Sequence, residues 1–241
     1  MIVQSALLIG VTALAATVGT VSGFGISSLM IPVLLFFYPL STVLLFVAVI
    51  HLCGDVWKIL FFRKGANWRL IAAFGVPGIL LSYTGASVTL SVDSDILKRL
   101  LGLFLLFYVV FLFIKQRWRM PRTTPAAVAG GSLSGFFAGI FGVGGAVRGA
   151  FLSAYDLPKE TYIYMSGMIA LFIDLSRIGR YVSGGMTLNR HLTLMLIVLI
   201  PLSLLGAWIA RKIVNRIPQK AFRPVIAALL GLAGLKYLIF A

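Results

Sequence analysis

His51, Asp55 and Lys58 stand four and then three residues apart within an apolar stretch. At 3.6 residues per turn the three side chains share one helix face. Asp174 and Arg177 repeat the acid–base pair in a second apolar stretch, with Ala170 at the place that corresponds to His51. A charge at bilayer depth costs about 2.5–3.5 kcal/mol on insertion scales, so each of these groups needs a reason to be there. One reading makes Asp55–Lys58 and Asp174–Arg177 structural ion pairs at i, i+3 spacing that neutralise each other near a helix end. The other makes one Asp a proton carrier that loses its pairing during a cycle, as a desolvated carboxylate does near neutral pH. His51 and Asp55 supply two metal ligands at most, and no Cys/His cluster adds more, so neither a metal nor another cofactor is expected.

Arg148 is the second chemical candidate. It follows Gly144 by four residues in a short apolar segment, and no acidic residue lies close to it in sequence. A guanidinium in such a setting binds a planar oxyanion bidentately; the bland alternatives are snorkelling to the interface or pairing with Asp55 or Asp174 across a helix contact. Two glycine clusters flank these segments: Gly23-Phe24-Gly25, and Gly142-Val143-Gly144-Gly145. Each splits an apolar stretch into a longer part and a short piece, 25–37 and 145–154. Broken helices leave N–H groups unpaired, which is tolerated at membrane depth only beside protein or a watery cavity. N–H groups at the positive end of a half-helix attract anions, and paired broken helices point to a transporter's midplane binding site. The expected substrate site is therefore Arg148 with Gly23, Phe24, Gly25, Gly142, Val143, Gly144 and Gly145.

The chain that carries these groups is 241 residues long, 60% hydrophobic and only 11% charged, with a mean hydropathy of +1.04. A soluble domain carries about 25% charged residues, so the bilayer is the solvent. The net charge of +15 comes from basic residues between the apolar runs, the pattern of cytoplasmic loops and not of a nucleic-acid surface. Cys53 has no partner for an intrachain disulfide. No basic residue precedes Lys58, so no cleavable signal peptide is expected. With two histidines far apart and no Ser or Cys beside a base, an intramembrane enzyme is the weaker alternative; a membrane scaffold would need neither buried charges nor broken helices.

Hydropathy predicts full spans at 3–20, 43–62, 70–88, 97–114, 126–141, 163–182, 192–209 and 222–240. Sliding the chain by 119 residues superimposes Gly23 on Gly142, Gly25 on Gly144, Pro39 on Pro158, Asp55 on Asp174 and Gly65 on Gly184, and sets Lys58 on Arg177. The expected fold class is thus an all-α polytopic membrane protein of two repeats, 1–118 and 119–241, joined by a basic connector at 115–125. Five segments per half would make the repeats inverted, with 63–69, 115–122, 155–160 and 211–223 on the cytoplasmic side. That arrangement leaves Arg180 and Arg190 outside.

The run Gly139-Ile140-Phe141-Gly142-Val143-Gly144-Gly145, its counterpart from Gly19 to Gly25 followed by Pro32, and the duplicated halves resemble the sulfite exporter TauE/SafE family, also called the 4-toluene sulfonate uptake permease family. Arg148-Gly149-Ala150-Phe151-Leu152, Leu157-Pro158-Lys159-Glu160 and Asp174-Leu175-Ser176-Arg177 look like one branch of it. The resemblance covers essentially the whole chain. It implies a multi-pass permease of the bacterial inner membrane that moves sulfite, thiosulfate, sulfoacetate or other sulfonates without hydrolysing ATP itself. The partners implied are the anion and membrane lipid, with a homodimer allowed.

Overall fold

Side-chain caps and prolines set where the helices begin. Asn67 and Asn189 each accept a hydrogen bond from the backbone N–H three residues on, that of Leu70 at 3.1 Å and of Leu192 at 2.9 Å, satisfying a donor that a helix start otherwise leaves unpaired. Pro39 and Pro158 precede two other helices as equivalent N-caps. The computed structural model describes residues 2–22, 25–63, 65–114, 121–214, 216 and 223–240, except for the side chains of residues 114, 223, 225 and 226. Among the described residues there are ten α-helices and no strand. These are α1 Ile2–Ser22, α2 Ile26–Leu34, α3 Leu40–Phe61, α4 Trp68–Ser91, α5 Ser94–Ile114, α6 Thr124–Phe141, α7 Gly144–Leu152, α8 Lys159–Ser183, α9 Arg190–Ile213 and α10 Arg223–Ile239.

The chain is therefore an all-α polytopic membrane protein. Six of the described helices, α1, α3, α4, α5, α6 and α9, are long and apolar enough to cross a bilayer. Hydropathy alone predicts eight. The described apolar part of α10 is shorter, Ala227–Ile239, while α8 has 25 residues but carries Lys159, Glu160, Asp174, Arg177 and Arg180. Asp174 and Arg177 are buried against other helices, so the charge that lowers the hydropathy of α8 does not face lipid. Helices α2 and α7 have nine residues each, or about 13.5 Å at 1.5 Å per residue, less than half of a hydrocarbon core of about 30 Å.

Between helices in lipid there is little hydrophobic drive, and close approach of small residues takes its place. In α6, Gly131 lies on the backbone of Phe74, Gly135 on Gly78, and Gly139 on Ser82, Gly85 and Ala86. Both series rise together, so α4 and α6 run parallel. By the same reasoning α4 and α8 are parallel, since Ile79 meets Ser176, Ser87 meets Arg180 and Leu90 meets Gly184. Helices α3 and α8 are antiparallel: His51 meets Asp174, whereas Asp55 and Lys58 meet Gly167. So are α5 and α10, with Gly102 near Leu238 and Leu106 near Gly234. Helix contacts also come in exchangeable sets. Swapping the first five helices for the last five turns α4·α6 into α9·α1 and α4·α8 into α9·α3, and leaves α3·α8 and α5·α10 as they are.

This packing makes a direct prediction. A methyl group at Gly135 would overlap the Gly78 carbonyl, whereas one at Gly75 meets nothing within 4 Å. Gly135→Ala is expected to lose about 1–3 kcal/mol through overpacking, with Gly75→Ala near neutral, as read by unfolding midpoints of the purified protein in detergent.

Candidate functional site

The α3–α8 crossing joins the two acid–base pairs of the sequence into one network. Lys58 Nζ donates to Asp55 Oδ1 at 2.7 Å and Arg177 Nε donates to Asp174 Oδ1 at 2.7 Å. His51 bridges them: its Nδ1 is 2.5 Å from Asp174 Oδ2 and 3.4 Å from Asp55 Oδ2. Exposure is 0% for Asp55 and Arg177, 1% for Asp174, 2% for His51 and 3% for Lys58. Two carboxylates and two fixed cations cancel, and this neutrality is what allows the burial. The structural-pair reading of the sequence thus describes the local geometry, while the bridge across the halves by His51 is supplied by tertiary contact alone.

Both glycine breaks rest on this network. Gly25, at φ +80°, begins α2, and a Cβ there would sit 2.5 Å from His51 Nε2. Gly142, at φ +72°, ends α6 in the left-handed conformation, and a Cβ there would sit 3.1 Å from an Arg177 terminal nitrogen. A side chain at either position would strain the backbone; at Gly25 it would collide with His51, and at Gly142 it would collide with Ile31 as well as crowd Arg177. Arg177 also donates to the Ala138 carbonyl at 3.2 Å. Tyr181 and Thr89 hydroxyls donate to the next carbonyls, those of Gly139 and Ile140. Together they cap the C-terminus of α6, whose dipole favours a cation. Gly23 and Phe24 lie outside the described residues.

Asp174 brings a third donor to His51 and Asp55, which sequence spacing did not provide, and the three offer ligand atoms within 4.8 Å of one another. They do not fit a transition metal as arranged. Two ligands at about 2.0–2.2 Å from a tetrahedral zinc stand about 3.3 Å apart, and the 2.5 Å between His51 Nδ1 and Asp174 Oδ2 is a hydrogen-bond distance.

Arg148 belongs to a separate polar centre. It is 1% exposed, donates from Nε to Ser166 Oγ at 3.0 Å and from one terminal nitrogen to Ser134 Oγ at 3.5 Å, and leaves the other terminal nitrogen without a partner. Among the described residues no carboxylate pairs with it, so the pairing with Asp55 or Asp174 considered from the sequence does not form. Ser134 also donates to the Gly144 carbonyl at 2.9 Å, tying Arg148 to the first turn of α7. Ser166 and Asp174 are eight residues apart on α8, or about 12 Å along its axis. The glycine breaks therefore converge on the His51 network, and Arg148 sits roughly two helical turns from it. Ser134 and Ser166 escaped the sequence reading because an isolated serine in an apolar helix is ordinarily a packing residue or bonds its own backbone.

The profile of the sulfite exporter TauE/SafE family matches residues 8–237. The chain belongs to that family. A probable membrane transporter protein of Methanocaldococcus jannaschii is 28% identical over 193 residues, covering 73% of this chain and 70% of the relative. This TauE/SafE chain is accordingly a multi-pass membrane transporter and not an enzyme.

For the TauE/SafE network, Asp174→Asn would leave Arg177 and His51 facing a neutral amide in a buried site, a loss of about 3–5 kcal/mol. Adding Arg177→Met removes the stranded cation, so the double variant is expected to be more stable than the sum of the two single losses. A double-mutant cycle on unfolding free energies in detergent checks the coupling.

Proposed function

We propose that this chain is a secondary transporter of small sulfur-containing anions, of the kind of sulfite, thiosulfate, sulfoacetate or other sulfonates, and that Arg148 is the cation that binds them. The unpaired guanidinium nitrogen carries the reading. A buried arginine without an acidic partner is costly, and an oxyanion would satisfy both its charge and its free donor.

The internal comparison strengthens the argument. At the shift that sets Asp55 on Asp174, Ser134, Arg148 and Ser166 correspond to Ala15, Leu29 and Val47. All three polar members are replaced together by buried apolar residues, and the first half builds the same order of helices. The Arg148 centre is therefore not a requirement of the helical framework.

We read residues 1–118 and 119–241 as inverted repeats that alternate access around this region. Antiparallel packing of the equivalent pairs α3·α8 and α5·α10 supports an axis in the membrane plane. Following the helix directions, we read the C-terminal ends of α3, α5, α7 and α9 as lying on one face. Their flanks hold Arg63, Lys64, Arg69, Lys115, Arg117, Arg119, Arg122, Lys159, Arg211, Lys212, Arg216, Lys220 and Arg223. By the positive-inside rule that face is cytoplasmic, in keeping with a bacterial inner-membrane permease.

Two outcomes test the reading. Arg148→Leu, which copies Leu29, is expected to fold and to lose sulfite and thiosulfate binding by at least about 2 kcal/mol, the value of one charge-assisted pair. Arg148→Lys keeps the charge without the fork and is expected to fall between. Unchanged isotherms for Arg148→Leu would remove Arg148 from the site. For the topology, Ala66→Cys and Thr187→Cys, each in a Cys53→Ser background, are expected to label from opposite sides of oriented vesicles; labelling from one side means parallel repeats.

A further inference from the structure

Resting on the anion-transport reading, we infer that His51 is a proton-binding site whose occupancy is coupled to the anion at Arg148. The evidence is the way the network distributes its bonds. Asp55 and Asp174 each commit one oxygen to a fixed cation, Lys58 or Arg177, at 2.7 Å. Each carboxylate thus has a cation of its own, and His51 is the member of the network with a ring nitrogen to spare. With His51 neutral, its Nδ1–H donates to Asp174 Oδ2, and Nε2 is a buried lone pair with no partner. Asp55 Oδ2, 3.4 Å from Nδ1, is likewise unsatisfied. One proton added at Nε2 makes an imidazolium that faces two carboxylate oxygens across its Nδ1 side. The network charge then passes from zero to +1, and loss of the proton reverses it.

Among the described residues, the charged or titratable groups of the network around this imidazole are few. Asp55 and Lys58 come from α3, and Asp174, Arg177 and Tyr181 from α8. Helix α7 contributes Arg148 about two turns away, whereas α2 holds no titratable residue. The naked nitrogen faces Gly25 at the α1–α2 break, where the absence of a side chain is the reason the ring fits. The second half has Ala170 at the corresponding place. One half thus carries the proton group and the other the anion group. An anion at Arg148 places negative charge about 12 Å along α8 from Asp174, among buried groups where screening is weak. It favours the protonated ring, and by linkage the protonated ring favours the anion. The movement that exposes the anion would carry a proton in the same direction.

The chain contains two histidines, so His191→Gln protein with nitrogen-labelled histidine reports His51 alone by NMR in nanodiscs. Thiosulfate, which stays fully ionised across the histidine range, is the probe. The expected result is a ring that gains a proton as the pH falls, with a larger protonated fraction when thiosulfate is bound. Thiosulfate affinity should be about tenfold tighter at the lower pH, equivalent to one unit of linkage, and this dependence should vanish in His51→Gln. In proteoliposomes a thiosulfate gradient should drive protons through the parent protein, whereas His51→Gln should keep thiosulfate exchange and lose the proton flux. A ring that does not titrate, or that titrates without responding to thiosulfate the protein binds, overturns the coupling and leaves the anion reading standing. A titrating His51 in a protein that binds no thiosulfate or sulfite sinks the anion reading and the coupling with it.

Discussion

The neutral network of His51, Asp55, Lys58, Asp174 and Arg177 is the constraint around which the bundle is arranged. In lipid, a single member left unpaired would be a buried charge with no compensation. Helices α3 and α8 must therefore cross where His51 reaches Asp174, and they do so antiparallel, with Gly167 allowing the Asp55–Lys58 turn to approach. The breaks between α1 and α2 and between α6 and α7 follow from the same demand. Each presents a positive-φ glycine to a nitrogen of the network, Gly25 to His51 and Gly142 to Arg177, and a side chain at either place would crowd that nitrogen.

Outside that centre, several hydroxyls bond within their own helix and helices meet through small residues. Thr84, Ser87 and Ser91, on an exposed face of α4, bond carbonyls four residues back, which removes the cost of bringing a hydroxyl into lipid. The opposite face of α4 is the glycine and small-residue seam with α6. A rigid seam of backbone contacts holds α6, and with it the helix break and the base of Arg148, in a fixed relation to α4 and α8.

The near two-fold repetition of packing makes the departures from it informative. Where the halves agree, as at Asp55 and Asp174, Lys58 and Arg177, Asn67 and Asn189, or Pro39 and Pro158, the residues build helices or neutralise charge. Where they differ, at His51 against Ala170 and at Ser134, Arg148 and Ser166 against Ala15, Leu29 and Val47, one half holds a group with unsatisfied capacity and the other holds an apolar residue. The residues shared by the halves belong to the framework, and His51 and Arg148, each with a nitrogen to spare, have no polar counterpart in the other half.

Much of this was legible in the linear chain. Apolar runs of bilayer length, two glycine-interrupted stretches and the coincidence of Asp55 with Asp174 determine an all-helical membrane protein with repeated segments, because helix periodicity and the cost of unpaired backbone in lipid act locally. The i, i+3 pairs are local for the same reason. Contacts that join residues more than a hundred positions apart have no local signature, and there the tertiary structure decided. It brought His51 onto Asp174, placed Ser134 and Ser166 around Arg148, and denied Arg148 the carboxylates that were the obvious candidates to pair with it. It also set Gly25 and Gly142 beside the His51 network, with Arg148 about two helical turns away. Helical rise fixes the distance between residues on one helix, whereas the angle and direction at which two helices cross are set by the small residues and charges that meet between them.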